Sequence, residues 1–287
     1  MASTRPQQGI ERRLARIIDL PAPMPGQFGP AHTVVPVIPP GDYAHSDPFI
    51  LLMDDRVDGQ LLGGPHPHAG FETVTLVVQG GMVHDHGKLG ERDAQWMTAG
   101  SGVIHGEGLD EAGKGRILQL WVTLPKAQRW APPSFQDIPY SELPVRREAG
   151  VEVRLYSGNS GSVRSETKNY VPVTLAEFSF EPGATISQDL PASYNGFFYV
   201  LEGEIAVGPD AQALRPGQAG WLDRPAATGD SSIRITATTQ ARVLLYAGQP
   251  QGDPLVSYGP FIGDTQADIL RVMGEYRSGR YGPPPRR

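Results

Sequence analysis

The sequence contains no cysteine, which excludes disulfides, thiolate metal ligands and a cysteine nucleophile. It has no basic surplus either: 25 Lys and Arg stand against 31 Asp and Glu, a formal net charge of −6. The electrostatic footprint of a generic nucleic-acid binder is therefore missing. No apolar run reaches the roughly 18 residues that a membrane helix requires. The opening MASTRPQQGIERRLARIIDL lacks the long apolar stretch and small-residue cleavage site of a secretory signal. The expectation is a cytoplasmic protein that binds neither nucleic acid nor membrane directly. Histidine is absent beyond residue 105, so any imidazole-bound metal belongs to the first half of the chain.

What the chain has in quantity is glycine and proline, 35 and 28 residues, with no collagen-like period. Combined with 39% hydrophobic content, this reads as many short strands joined by turns around real cores. A chain of 287 residues has room for two domains.

Two pairs of candidate metal ligands stand out, His66 with His68 and His105 with Glu107, each two residues apart. In an extended segment residues i and i+2 share a face, so each pair can present two side chains to one point. Between the pairs runs a β-branched and aromatic stretch, Phe71 to Val78, stopped at Gly80 and Gly81. A second short strand follows, then a turn region from Gly87 to Asp93, and Gln95 to Thr98 lead back. An antiparallel return would set His105 and Glu107 beside His66 and His68. Three neutral imidazoles and one carboxylate around a divalent ion leave a net charge near plus one. In octahedral geometry two positions stay open for water, dioxygen or a chelating anion. A closed tetrahedral zinc site that merely staples the fold is the alternative.

The strings HPHAGFETVT and QWMTAGSGVIHGE resemble the two signature segments of pirin, a family in the cupin superfamily, and YGPFIGDTQADI near the C-terminus extends the match. The resemblance implies an all-β fold of two tandem cupin-type, jelly-roll-like barrels with a short C-terminal helix. The expected division is an N-terminal barrel over 1–135 carrying the metal site and a C-terminal barrel over 136–287 without ligands, ending in the helix. The resemblance puts the metal ligands on His66, His68, His105 and Glu107. Cupins in general often use a glutamate of the first segment, here Glu72; the pirin pattern moves the carboxylate to Glu107. His84 and His86 form a further H-x-H with no third ligand nearby in sequence and read as rim positions. In the family the second of these positions is commonly an acid, so His86 is a departure.

Fe(II) is the first expectation; nickel, manganese, cobalt, copper and zinc are alternatives that tolerate such ligands, and affinity order alone would favour copper. The expected activity is that of a quercetin 2,3-dioxygenase, an oxidoreductase cleaving a small aromatic, flavonol-like enol with dioxygen. Glu107 would serve as catalytic base as well as ligand. The competing expectation is a metal-dependent regulatory protein that binds a protein partner without turnover.

The rest of the chain reads around this core. SYNGFFYVLEGEIAVG repeats the cadence of GFETVTLVVQGGMV, and setting Gly203 on Gly80 places Asp189 and Pro191 where the first unit has His66 and His68. Two related barrels with one metal site suggest duplication followed by loss. Arg12, Arg13 and Arg16 read as a solvated face, His32 and His45 as loop histidines, and Asp223, Arg224 and Arg242 as loop charges. Residues up to about Gly9 are expected to be loose. Near the end, Asp264 or Thr265 can cap a helix with Ile269, Val272, Met273 and Tyr276 on one face and a stop at Gly279.

Overall fold

The computed structural model of the protein describes residues 9–27, 29–41, 43–58, 64–110 and 113–286; the amino terminus expected to be loose lies, apart from Gly9, outside them. Among the described residues almost all of the regular structure is antiparallel sheet, and the longest helix is Gln266–Arg277. The chain divides into two compact units. One takes the residues up to Asp19 with Pro144–Glu166 and Val173–Gln249; the other takes Leu20–Leu143, Thr167–Pro172 and the tail from Pro250.

This division corrects the one expected at residue 135, because each unit is completed by a chain end. Strand Leu14–Asp19 pairs with Gln218–Leu222 and so belongs to the later barrel. The C-terminal helix, expected to end that barrel, instead buries Ile269 and Val272 against Ala69, Phe261 and Tyr281 of the ligand-bearing unit. Thr265 caps the helix, accepting from the Asp268 backbone N–H, while the Asp268 side chain accepts from the Thr265 backbone.

In the ligand-bearing unit the main sheet has seven strands, in the order Ser134–Ile138, Ala94–Thr98, Phe71–Gly80, Lys114–Thr123, Phe49–Asp58, His32–Ile38 and Met24–Pro25. Phe71–Gly80 is central, and its residues are buried on both faces as far as Val78. That fits a run of mainly β-branched and apolar side chains, broken only by the buried Glu72, rather than a buried–exposed alternation. The other unit repeats the order with Leu14–Asp19, Gln218–Leu222, Asn195–Glu202, Ala241–Gly248, Val173–Phe180, Val151–Ser157 and Val145–Glu148. Gly80 and Gly203 end the corresponding strands with φ of 85° and 74°. A Cβ on either would lie 2.2 Å from the Lys114 carbonyl oxygen or 2.0 Å from that of Gln240, so glycine is required at the same turn in both.

The second barrel is filled with hydrocarbon. Leu14, Phe178, Ile186, Leu190, Phe198, Val200, Ile233 and Leu245 are among its buried cluster. In strand Thr185–Pro191 the buried positions are Ile186, Gln188 and Leu190, whereas Asp189 is exposed. The residue that the Gly80–Gly203 correspondence sets opposite His66 therefore faces outward.

Charges read from sequence as solvated are partly internal. Arg12 is fully buried; its Nε donates to Asp223 Oδ1 at 2.9 Å and its Nη2 to the Tyr194 carbonyl at 3.2 Å. Burial pulls the Arg12 pKa down against the pull of Asp223. Arg242 donates to Glu177 at 3.0 Å. No helix among the described residues is long and apolar enough to cross a membrane.

Candidate metal centre

Strand His66–His68 pairs antiparallel with Val103–His105, setting His105 opposite His66 and Val103 opposite His68. The i, i+2 spacing and the antiparallel return thus bring three imidazoles together. Their ligand nitrogens all lie within 4.8 Å of one another, and their ring centroids are 4.4 to 5.0 Å apart. Gly100, at φ 47°, turns the chain toward this point; a Cβ there would lie 2.0 Å from the Ala131 carbonyl oxygen.

The rings are held so that each can offer a nitrogen. His66 donates Nδ1–H to the Gly64 carbonyl at 3.0 Å, which leaves Nε2 as a lone pair. His68 Nδ1 and His105 Nε2 are buried with no hydrogen-bond partner, an unfavourable state for polar nitrogens unless something else binds them. Burial, reinforced by the neighbouring imidazoles, lowers the His68 pKa well below its ordinary value and brings that of His105 to about 3. Neutral imidazole is the form that ligates a cation. Donor type, convergence and orphaned nitrogens all fit a divalent transition metal held by His66, His68 and His105.

Glu107 stands beside this group rather than inside it. Residue 106 ends the run: Glu107–Leu109 forms a new strand paired with Met82–His84, with Glu107 opposite His84. Its Oε1 is 3.9 Å from His105 Nδ1. The Thr75 hydroxyl lies against two acceptors, Gln119 Oε1 at 2.8 Å and Glu107 Oε1 at 3.2 Å. Burial pushes the Glu107 carboxyl above the usual carboxylate range, opposed by His66 and by the Thr75 bond. The rival carboxylate, Glu72, is buried and accepts from Thr98 Oγ1 at 2.7 Å. It lies on the face of its strand opposite to Thr73 and Thr75. Gly70, at φ 90°, breaks the strand after His68, so the even spacing from His68 to Glu72 carries no parity.

Below the imidazoles a row of side chains crosses the sheet. Register places Met53, Gln119, Thr75, Gln95 and Asp137 side by side on one face. Gln95 Nε2 donates to Asp137 Oδ1 at 3.0 Å and lies 3.1 Å from His84 Nδ1. His84, expected at the rim, is buried and sits 3.5 Å from Asp137; burial lowers its pKa and Asp137 counters. His86 is exposed and stacks on Phe135 at 4.3 Å. Neither joins the ligand group. Trp121 packs on Phe71 at 4.2 Å and lies 5.4 Å from His68. The row went unread in the sequence, although its signal was present: Thr73 and Thr75 alternate within an apolar strand, and Gln119 interrupts the run ILQLWVTL.

The Pirin family model matches residues 39–122, and that of the Pirin C-terminal cupin domain matches residues 175–282. Pirin-like protein 2 of Arabidopsis thaliana is 36% identical across 82% of this chain and 76% of its own length. Among solved structures, GK1651 of Geobacillus kaustophilus is 40% identical, with a TM-score of 0.82 over 86% of this chain and 99% of its own. A quercetin 2,3-dioxygenase of Acinetobacter baumannii is 26% identical, with a TM-score of 0.81 over 94% of this chain and 98% of its own.

Proposed function

The chain belongs to the pirin family of cupin proteins, and from that premise we propose that it is a cytoplasmic metal-dependent dioxygenase of the quercetin 2,3-dioxygenase type. The observation that carries this reading is the group of three converging imidazoles, two of them buried, with a partly exposed carboxylate at its side. Likeness to a quercetin 2,3-dioxygenase at 26% identity supports it. His66, His68 and His105 hold the metal, and Glu107 is the fourth ligand and the base.

Fe(II), or one of nickel, manganese, cobalt, copper and zinc in its place, supplies Lewis acidity that favours the deprotonated form of an enol and, in its redox-active forms, access to dioxygen. The chain does the rest. Glu107, held by the Thr75 hydroxyl, receives the enol proton. Trp121, beside His68, gives a flat substrate a ring to stack on.

Anaerobic binding of quercetin followed by admission of air tests this. Loss of the flavonol absorbance only in metal-loaded protein is expected, and no turnover with any of the six metals removes the reading. A His105→Ala variant that kept both metal and activity would remove the site assignment. A second reading, a metal-dependent binding protein without turnover, draws on the second barrel, which repeats the sheet order with a hydrocarbon interior. Pull-down from cell extract with metal-loaded and with chelated protein separates the two, since only this reading expects a metal-dependent partner.

A further inference from the structure

His32, read from the sequence as a loop histidine, is 3% exposed, and its Nε2 lies 2.7 Å from Asp55 Oδ1. Its ring is seated over Gly26, where an added Cβ would come within 2.0 Å of His32 Nδ1, so the imidazole has one place to go. Asp55 remains 19% exposed. Among the described residues no hydrogen-bond donor other than His32 reaches its carboxylate.

Register fixes where Asp55 points. It lies opposite Ile117, and Met53, two residues earlier, lies opposite Gln119. Residues directly opposite across antiparallel strands share a face, as do residues i and i+2 along one strand. Asp55 is therefore on the face that carries Met53, Gln119 and Thr75, and Thr75 holds Glu107. Around it Val57, Val77 and Ile117 belong to an apolar cluster, so Asp55 is an isolated acceptor in a hydrocarbon setting. Burial raises its pKa against the His32 bond, and the charge of Glu107 adds to the rise.

We propose that Asp55, held by His32, is a specificity-determining residue of the same interior, accepting a hydrogen bond from a phenolic hydroxyl on the part of the substrate remote from the three histidines. The inference rests on the flavonol reading above. Asp55 on this face, with the Glu107 carboxylate held against Thr75 of the same face, disfavours an anionic group at that end and selects a hydrogen-bond donor. A polyhydroxylated flavonol then binds better than one that bears only the chelating enol.

The test is anaerobic fluorescence titration of Fe(II)-loaded protein with quercetin and with 3-hydroxyflavone, which keeps the enol and carbonyl but lacks the other hydroxyls. Asp55→Ala is expected to weaken quercetin about tenfold, the loss of one charge-assisted hydrogen bond, and to leave 3-hydroxyflavone within about twofold. Asp55→Asn keeps the shape and a neutral acceptor, so about a threefold loss is expected; it decides the matter if the alanine variant does not fold. An affinity ratio for the two flavonols that is equal in wild type and variants overturns this inference alone. Wild-type protein that binds neither flavonol overturns the flavonol reading, and this inference with it.

Discussion

In the ligand-bearing barrel the central strand sets Thr75 between Gln119 and Gln95; in its repeat the corresponding strand sets Phe198 between Leu245 and Gly220. The sheet order and the glycine turn are the same, yet one interior row donates and accepts hydrogen bonds while the other is phenyl and leucine. Burying a side chain such as Phe or Leu is worth about 1.5–3 kcal/mol, and polar groups inside return far less. One barrel thus sets a polar interior row near three histidines that could hold a metal, and the other fills the corresponding positions with hydrocarbon. If the proposed activity holds, the two copies divide chemistry from stability.

The sharpest way to break this contrast is to remove a ligand from one barrel and a core residue from the other. His105→Ala deletes one of three converging nitrogens, and metal retained after purification and desalting, measured by elemental analysis, should fall to background. Phe198→Ala, fully buried in the second barrel, should cost about 3–5 kcal/mol in denaturant unfolding while metal content per folded molecule is unchanged. If Phe198→Ala lost the metal or His105→Ala lost most of the stability, the division of labour would be wrong.

Much of this arrangement was legible because it depends on local spacing. His66 and His68 sit two apart on one strand, glycines 80 and 203 mark the same turn, and Thr265 with Asp268 spells a capping box. What was not legible depends on register between distant strands. Arg12 meets Asp223 across 211 positions, and His32 reaches Asp55 only because their strands run side by side. Glu107 shows what spacing alone leaves out: His105 ends one strand and Glu107 begins another with a different partner, so its carboxylate comes within 3.9 Å of His105 Nδ1 from a separate strand. The polar row was missed because each of its members is one residue on a different strand, which no single window contains.

A milder exchange within the first barrel sharpens the comparison. Thr75→Val makes its interior more like that of the second, keeps the shape of the side chain, and removes the hydroxyl shared by Gln119 and Glu107. Leaving two partly buried acceptors without the one proton they share should cost about 1 kcal/mol. Metal should remain, since the imidazoles are untouched, but a Glu107 that is no longer held should turn over substrate more slowly. Calorimetric unfolding and elemental analysis on one preparation check both halves of this expectation.

The smallest effect expected lies in the tail, which supports only the ligand-bearing unit. Thr265 Oγ1 lies 3.2 Å from the Asp268 backbone N–H as acceptor and 2.7 Å from Asp268 Oδ2 as donor; this second bond is the chief reason the Asp268 pKa is lowered. Thr265→Ala should cost about 1 kcal/mol, the usual worth of a helix cap. A carboxylate whose folded pKa is depressed contributes stability that is full above its unfolded pKa, about 3.9, and is lost as pH falls through the folded value. The gap in melting temperature between wild type and Thr265→Ala should therefore be constant near neutrality and narrow below about pH 4. Because Ile269 and Val272 pack on Ala69, next to His68, the same variant should loosen amide protection in His66–His68 and leave the strands of the second barrel as protected as before. Hydrogen exchange that changed equally in both units would show that the cap does not act on one barrel alone.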